Sequence, residues 1–522
     1  MKTLLLAAAL LAAPAQAANP HTYANPILYA DYSDPDVIRV GKDYYLVASS
    51  FHFSPGIPVL KSSDLVHWRI LGHVLPRLNF SPAYDMVPPF TLTDSVSKPV
   101  GKGLRYAGGV WAPAIRHHDG LFYVYWPTPD EGVFMATAQK PEGPWSRPVP
   151  VLAGPGYEDP CPFWDDDGQA YLIHSKVGAG PLILHRMSAD GTKVLDAGKV
   201  IVEDKVNLPV LEGPKLYKKN GWYYIFAPIG GVDKGGQAVG RSRNIYGPYE
   251  WKTVLEKGTT SVQGPHQGGY VETPSGQGLF VHFNSTGAFG RIDYLEPVRW
   301  QDDWPVMGDN GQPVLSHAAP DTGAWTNDRL QATDEFSSSK LGLQWEWNHN
   351  PDPARWSLTA RKGYLRLTAG PAEQLVQARN TLTQILQGPS STITARIDLS
   401  HMAEGQRAGL VLFGVKPVWL GAVREDGKTH LTFASAGVET PGPGISGTVQ
   451  IRAEVAADQT VRFSYSADGN AFTPFGDALP LARFSWWKGS RPGLFTYIKA
   501  APGTVVPNGF VDIDWVHVET GK

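Results

Sequence analysis

Three acidic residues, one tryptophan and one histidine stand at matching points of five separated stretches of the chain. Asp34 directly precedes Pro35, and Asp159 directly precedes Pro160. Glu212 lies two residues before Pro214, Trp111 two residues before Pro113, and His266 directly follows Pro265. Carboxylates that converge in a shallow, partly buried space must be paired, hydrated or put to use. Paired carboxylates beside a sugar can hydrolyse a glycosidic bond. One protonates the leaving oxygen while the other takes a proton from water or attacks directly. The acid must hold its proton near neutral pH, which requires burial and a nearby negative charge. A third carboxylate supplies that charge, so three acids are the number this mechanism needs.

Such chemistry requires five stretches to bring their starts to one place, and their internal pattern says how. SDPDVIRVGKDYYLVASS begins at Ser33, WAPAIRHHDGLFYVYW at Trp111 and DPCPFWDDDGQAYLIHS at Asp159. EGPKLYKKNGWYYIFAP begins at Glu212 and GPHQGGYVETPSGQGLFVHF at Gly264. Aligned on their prolines, the intervals are 78, 47, 54 and 51 residues. After each proline come an apolar run, a turn signal and an aromatic or β-branched run. Most of the turns carry Asp-Gly, Asn-Gly or another X-Gly pair of hairpin type. SSDLVHW, QKPEGPW, SADGTKV, SRNIYGPY and LEPVRWQDDW follow in the successive units and fit outer strands. Repetition at about 50 residues with several short strands per unit is the mark of propeller blades. A β-sandwich with accidental repetition is the competing architecture, and no long run keeps the 3.6-residue helical period. The reading is all-β, with a five-bladed β-propeller over residues 18–315. The first strand of each blade lines the central channel, so Asp34, Trp111, Asp159, Glu212 and His266 ring one mouth.

Residues 316–330 read as a polar, Gly- and Pro-bearing linker. Beyond it, STITARIDL, AGLVLFGV, WLGAVRE, HLTFASA, VQIRAEVA, VRFSYSAD, GLFTYIK and VDIDWVHV alternate apolar and polar residues at period two. Residues 331–522 are therefore expected to form an antiparallel β-sandwich of the jelly-roll kind. Trp345, Trp347 and Trp356 lie near its start, where an interface with the propeller is expected. The first interval is long because Pro76 to Tyr106 is an insertion rich in Pro, Ser and Gly, expected to wall a binding pocket. A sandwich loop around Trp486 and Trp487 is the other candidate wall.

The first 17 residues, MKTLLLAAALLAAPAQA, have a positive start, a short apolar core and an Ala-Gln-Ala end, the pattern of a secretory signal peptide. The protein is expected to be exported, periplasmic or secreted, with no membrane anchor. A single cysteine, Cys161, excludes an internal disulfide, so stability must come from a large core. A net charge of −3 argues against nucleic acid as a partner. Seventeen Trp, 21 Tyr and 20 Phe suit stacking on the C–H faces of sugar rings, although propellers also pack with aromatics. The expected partner is an oligosaccharide substrate. No Gly-rich phosphate loop, nucleophile elbow or Cys/His metal cluster occurs.

NPILYADYSDPDVIRVGKDYYLVASSFHFSPGIPV, GGVWAPAI, DPCPFWDDDGQAYL, EGPKLYK and GPHQGGYV together resemble glycoside hydrolase family 43, over essentially all of residues 25–305. The trailing sandwich resembles the C-terminal domain of the family's two-domain members. The resemblance implies an inverting β-xylosidase or α-L-arabinofuranosidase. It also implies that Asp34 is the general base, Glu212 the general acid, and Asp159 the residue that orients Glu212 and raises its pKa. Arg291 resembles the family's arginine that hydrogen-bonds the terminal sugar, with a surface ion pair as the plain alternative. Trp111 and Phe51 are candidate stacking surfaces for that sugar, or else blade packing. His266 matches the histidine near the channel axis that holds calcium through water in many members, or else it is a satisfied core residue. The chemistry requires no cofactor, and a structural Ca2+ in the channel is the one ion implied. Asp36 is a structural partner, and Asp165 to Asp167 form a solvated turn.

Two other functions compete with an exo-acting glycosidase releasing terminal pentose, xylose ahead of arabinose. A non-catalytic sugar-binding propeller has no use for a proton donor of raised pKa. A retaining fructan hydrolase would carry Asn-Asp-Pro-Asn, Arg-Asp-Pro and Glu-Cys signatures, which are absent.

Overall fold

Each proline-led stretch opens a four-stranded antiparallel sheet. The structure, a computed structural model, describes residues 20–88, 104–482 and 485–521. Blade I comprises Asp36–Val40, Asp43–Val47, Gly56–Ser62 and Arg69–Leu75, and blade II Ala114–His118, Leu121–Thr128, Gly132–Ala138 and Val149–Ala153. Blade III comprises Tyr157–Trp164, Ala170–Lys176, Leu182–Met187 and Lys199–Val202, and blade IV Lys215–Lys219, Trp222–Ile229, Gly236–Ser242 and Glu250–Leu255. Blade V comprises His266–Glu272, Gly278–Ser285, Arg291–Gln301 and Trp304–Met307. The turns behave as their residues dictate. Asp119-Gly120 and Asn220-Gly221 both take positive φ at each position, the twist that closes a two-residue hairpin.

A blade buried on both faces needs apolar residues on both, and the core is accordingly a ring of five seams. Val47, Val59 and Val74 of blade I meet Ile115, Val124 and Trp126 of blade II. Tyr125 and Met135 of blade II meet Leu172 and Met187 of blade III. Ile173 and Leu184 of blade III meet Leu216 and Ile225 of blade IV. Phe226 and Val239 of blade IV meet Phe280 and Val298 of blade V. Val281 and Leu295 of blade V close the ring against Val37, Leu46 and Leu60 of blade I. No blade is shared between the two chain ends. Instead the N-terminal segment runs beside blade V, with Leu28 bridged to Asp293 and Asn25 bonded to Leu295 through both side-chain atoms.

All eight sequence-expected sandwich strands are present, in two sheets of nine and eight strands that enclose a core of Leu, Ile, Val and Ala. One strand of the nine comes from the propeller. Phe53–Ser54 pairs with Glu346–Asn348, Trp347 opposite Ser54 and Asn348 opposite Phe53. Trp347 is buried at this junction and packs on Trp356, whereas Trp345 turns to Phe336 and donates to Asp334. Residues 316–330, expected as a linker, are held to the propeller: Ser316–Ala318 pairs with Thr22–Ala24, and Trp325 and Leu330 pack on the seam between blades I and V. The described parts of the Pro76 to Tyr106 insertion do not wall the pocket. Met86, Leu104 and Tyr106 pack against the sandwich, Tyr106 stacking on Trp486 at 4.0 Å. They are apolar enough to be drawn into that interface. Residues 89–103 and the expected signal peptide lie outside the described residues.

Because a propeller strand completes the sandwich sheet, separating the domains strips both of hydrogen-bonded and apolar surface. A chain truncated after residue 330 is expected to be insoluble or inactive, as judged by size-exclusion chromatography and pentoside hydrolysis. A soluble, fully active truncation would contradict this.

Candidate active site

The residues at the mouth end of the first strands turn inward through backbone that a regular strand does not adopt. Asp34 and Asp159 have φ of 55° and 53°, and Gln267 has φ of 34°. The register slips between Glu158 and Cys161, and again between His266 and Gly268, so both strands carry a bulge at the mouth. Bulges re-aim side chains, and here they aim them into one cavity of about 170 Å3. It is lined by Asp34, Asp159, Glu212, Trp111, Phe51, Arg291 and His266, every site residue expected from the sequence. Glu158, Gln267, Ala112 and Val232 also line it and were not expected there, and Trp487 enters from the sandwich.

Asp34 is fixed by Arg291, whose Nη1 lies 2.7 Å from Oδ1, and by Ser49, whose hydroxyl donates to Oδ2 at 2.6 Å. Arg291 is therefore a buried ion-pair partner of the acid and not a surface one. Asp31 sets its backbone, accepting from the Arg291 N–H at 3.1 Å, while Gly489 of the sandwich donates to the same carboxylate at 2.7 Å. Asp159 accepts from the Gly213 N–H at 2.8 Å, the Ser175 hydroxyl at 3.1 Å and the Gln267 amide at 3.2 Å. Gly213 follows Glu212, so the bond from Gly213 ties Asp159 to the backbone that carries Glu212. His266 Nε2 donates to Glu212 Oε1 at 2.8 Å. Trp111, its indole held by the Ala107 carbonyl at 2.7 Å, stands edge-on to Phe51 and to Trp487, and the three rings form an aromatic wall. Gly109 is needed for this wall. A Cβ there would meet the Phe51 carbonyl at 2.1 Å.

Carboxylate oxygens of Glu158, Asp159 and Glu212 lie within 4.8 Å of one another. Three charges that close cannot all persist in a buried site. Burial and then the charges of Asp159 and Glu212 push Glu158 up to about 10. Burial and then the Glu212 charge push Asp159 up to about 6, against the buried Lys215 ammonium, which lowers it. Burial also raises Glu212, but bonds from His266 and Glu158 and the Arg291 charge outweigh it and leave Glu212 below the ordinary value. These directions favour Glu158 as the carboxyl that keeps a proton.

Calcium takes six to eight oxygens. His266 spends Nε2 on Glu212, and its buried Nδ1, which has no hydrogen-bond partner among the described residues, is the atom left for an ion held through water. The compact carboxylate group does not include it. Asp36 is structural as expected, bound to Arg116 and the Ile115 N–H. Asp165 is not solvated. It is buried against Lys218 and Tyr223, while Asp166 is exposed.

Residues 23–305 match the family model described as glycosyl hydrolases family 43, and residues 333–519 match that of the beta xylosidase C-terminal concanavalin A-like domain. The chain belongs to glycosyl hydrolase family 43. It is a glycoside hydrolase. A protein of Xylanibacter ruminicola named putative beta-xylosidase is 43% identical over 90% of this chain and 86% of its own. A non-reducing end alpha-L-arabinofuranosidase of Bacteroides ovatus is 31% identical over 76% of this chain and 72% of its own. Among solved structures, a bifunctional GH43-CE of Bacteroides eggerthii superposes with a TM-score of 0.82 at 33% identity. That alignment covers 95% of this chain, which spans 63% of the longer Bacteroides eggerthii chain.

Asp159→Asn removes the charge beside Glu212, so Glu212 should lose its proton earlier. The alkaline limb of the kcat/KM profile of this family 43 enzyme is expected to move to lower pH. An unmoved limb would detach Asp159 from the acid.

Proposed function

We propose that the protein is an exo-acting, inverting glycosidase that releases terminal β-D-xylose from plant cell-wall oligosaccharides. The observation that carries this reading is the gathering of Asp34, Asp159 and Glu212 in one small aromatic-walled cavity. At about 170 Å3 it falls below the roughly 300–1,000 Å3 of sites for larger ligands, which suits one sugar ring and not a chain threaded through. Phe51, Trp111 and Trp487 offer apolar faces to the ring, and the Arg291 guanidinium, over the Phe283 ring at 4.8 Å, offers hydrogen-bond donors to its hydroxyls.

The mechanism follows from the side chains. Asp34, paired with Arg291 and Ser49, keeps a free lone pair on each oxygen and takes a proton from the attacking water. The water oxygen bonds to the anomeric carbon as the glycosidic bond breaks, and Glu212 protonates the leaving oxygen. Direct displacement by water inverts the anomeric centre. Asp159 restrains Glu212 through the Gly213 N–H and opposes loss of its proton.

The relative from Bacteroides ovatus favours a second reading, an α-L-arabinofuranosidase acting on arabinose side chains. The higher identity to the Xylanibacter ruminicola protein supports xylose first. The ratio of kcat/KM on the two 4-nitrophenyl pentosides decides between them. Export rests on the first 17 residues, and N-terminal sequencing of the secreted form should begin at Ala18.

The two acids separate by leaving group. Asp34→Ala is expected to abolish activity on every substrate. Glu212→Ala should lose about 10²–10⁴-fold on xylobiose and far less on a dinitrophenyl pentoside, whose phenolate departs unprotonated. If Asp34→Ala were the variant rescued by the good leaving group, the base and acid would be exchanged.

A further inference from the structure

One carboxyl in the pocket has no part in the mechanism so far. Glu158 is 8% exposed and lines the same cavity as Glu212. Strict strand alternation would send Glu158 and Asp159 to opposite faces. The bulge after Glu158, with Asp159 at φ 53°, brings both to the pocket side. Glu158 Oε2 accepts the Gly178 N–H at 3.1 Å, and carboxylate oxygens of Glu158 and Glu212 lie within 4.8 Å of each other. Two buried carboxyls that close can hold one proton between them, since two adjacent charges are not stable there.

We propose that Glu158 is a positioning residue that shares one proton with Glu212 and so keeps the general acid supplied to higher pH than a lone glutamate could. This rests on Glu212 being the acid. The groups facing the pair bear it out. Glu158 is faced by Asp159 on its own strand and by Glu212 from the lead into blade IV, both negative. The positive groups stand elsewhere. His266 and Arg291 act on Glu212, and Lys215, with Asp34 opposing it, acts on Asp159. Burial and the charges of Asp159 and Glu212, opposed by the Gly178 N–H, favour Glu158 as the seat of the resting proton.

The step balances. The proton moves from Glu158 to the neighbouring Glu212, and Glu212 passes it to the glycosidic oxygen as that oxygen leaves the anomeric carbon. Asp34 meanwhile gains the proton of the attacking water. After release of both sugars Asp34 gives its proton to solvent, and the Glu158–Glu212 pair takes one back.

The test is the pH dependence of kcat/KM for Glu158→Gln. The amide still donates to Glu212 but cannot lend a proton, so the alkaline limb on xylobiose should move down by about one pH unit or more, tenfold in rate per unit on that limb. On a dinitrophenyl xyloside, which needs no acid, the limbs of the two chains should coincide. A merely structural role would lower kcat on both substrates without moving the limb. Glu212→Ala separates the two ideas. If it shows no leaving-group contrast, the acid itself is misassigned. If it shows the contrast while Glu158→Gln leaves the limb in place, this proposal alone fails. Should Glu158→Gln not fold, carboxyl-carbon NMR of 13C-glutamate-labelled protein decides. A glutamic acid signal that stays protonated at pH 8 should titrate at lower pH in Glu212→Ala, and the absence of any such linked signal overturns the proposal.

Discussion

Repulsion among buried carboxylates is the constraint from which the rest of this active site follows. Asp34, Glu158, Asp159 and Glu212 line one small cavity, three of them with oxygens within 4.8 Å. Each charge retained there must be met by a partner, or the group must keep its proton. The fold meets Asp34 with Arg291, Glu212 with His266, and Asp159 with a backbone N–H, a hydroxyl, an amide and the nearby Lys215. Glu158 receives one backbone N–H and, among the described residues, no ion pair, and burial and its acidic neighbours raise it furthest toward keeping a proton. Division of labour between acid and base thus comes from unequal compensation of like groups.

That compensation reaches into the second domain. The turn Trp486 to Gly489 brings Trp487 to the cavity and Lys488 to the back of it, where the ammonium donates to the Asp31 carbonyl at 3.0 Å. Asp31 accepts from the backbone of both Arg291 and Gly489, so one carboxylate spans the channel arginine and the sandwich turn. Glu346 and Arg491 form a second buried pair across the sandwich sheet, at 2.8 Å beside the strand borrowed from the propeller. Burial raises Glu346, but Arg491 and His73 carry it down to about 2. Such pairs add specificity of docking more than net stability. The sandwich is a structural part of the pocket, and its sheet cannot be completed without the propeller.

Much of this was legible because propeller repeats announce themselves. Proline-led strands and X-Gly turns located all five blades, and the residues beside Pro35, Pro113, Pro160, Pro214 and Pro265 located the mouth. Period-two alternation found the eight main sandwich strands. What sequence could not show depends on backbone irregularity and on distant contacts. Glu158 was hidden because alternation points it away from Asp159, and only the bulge reverses that. The Glu-Asp pair ahead of the proline, followed by a register slip, is the signal that could have revealed it. Asp31 looks like one more loop acid until Gly489 and Arg291 are seen to converge on it. Glu212 inherits its electrostatics from His266, 54 residues on, and from Glu158 in the preceding blade. The described ends of the insertion finishing at Tyr106 turn to the sandwich instead of the pocket because their apolar residues answer to Trp486, far along the chain.

The central claim is that Asp34 and Glu212 act from opposite sides of one terminal sugar held against the aromatic wall. A crystal structure of Glu212→Gln with xylobiose bound tests it most directly. The account predicts the non-reducing xylose inside the cavity, its glycosidic oxygen within hydrogen-bond reach of the position 212 side chain. A water held by Asp34 should sit on the opposite face of the anomeric carbon. A reducing-end sugar in the cavity, or Asp34 and position 212 on the same face of the ring, would contradict it.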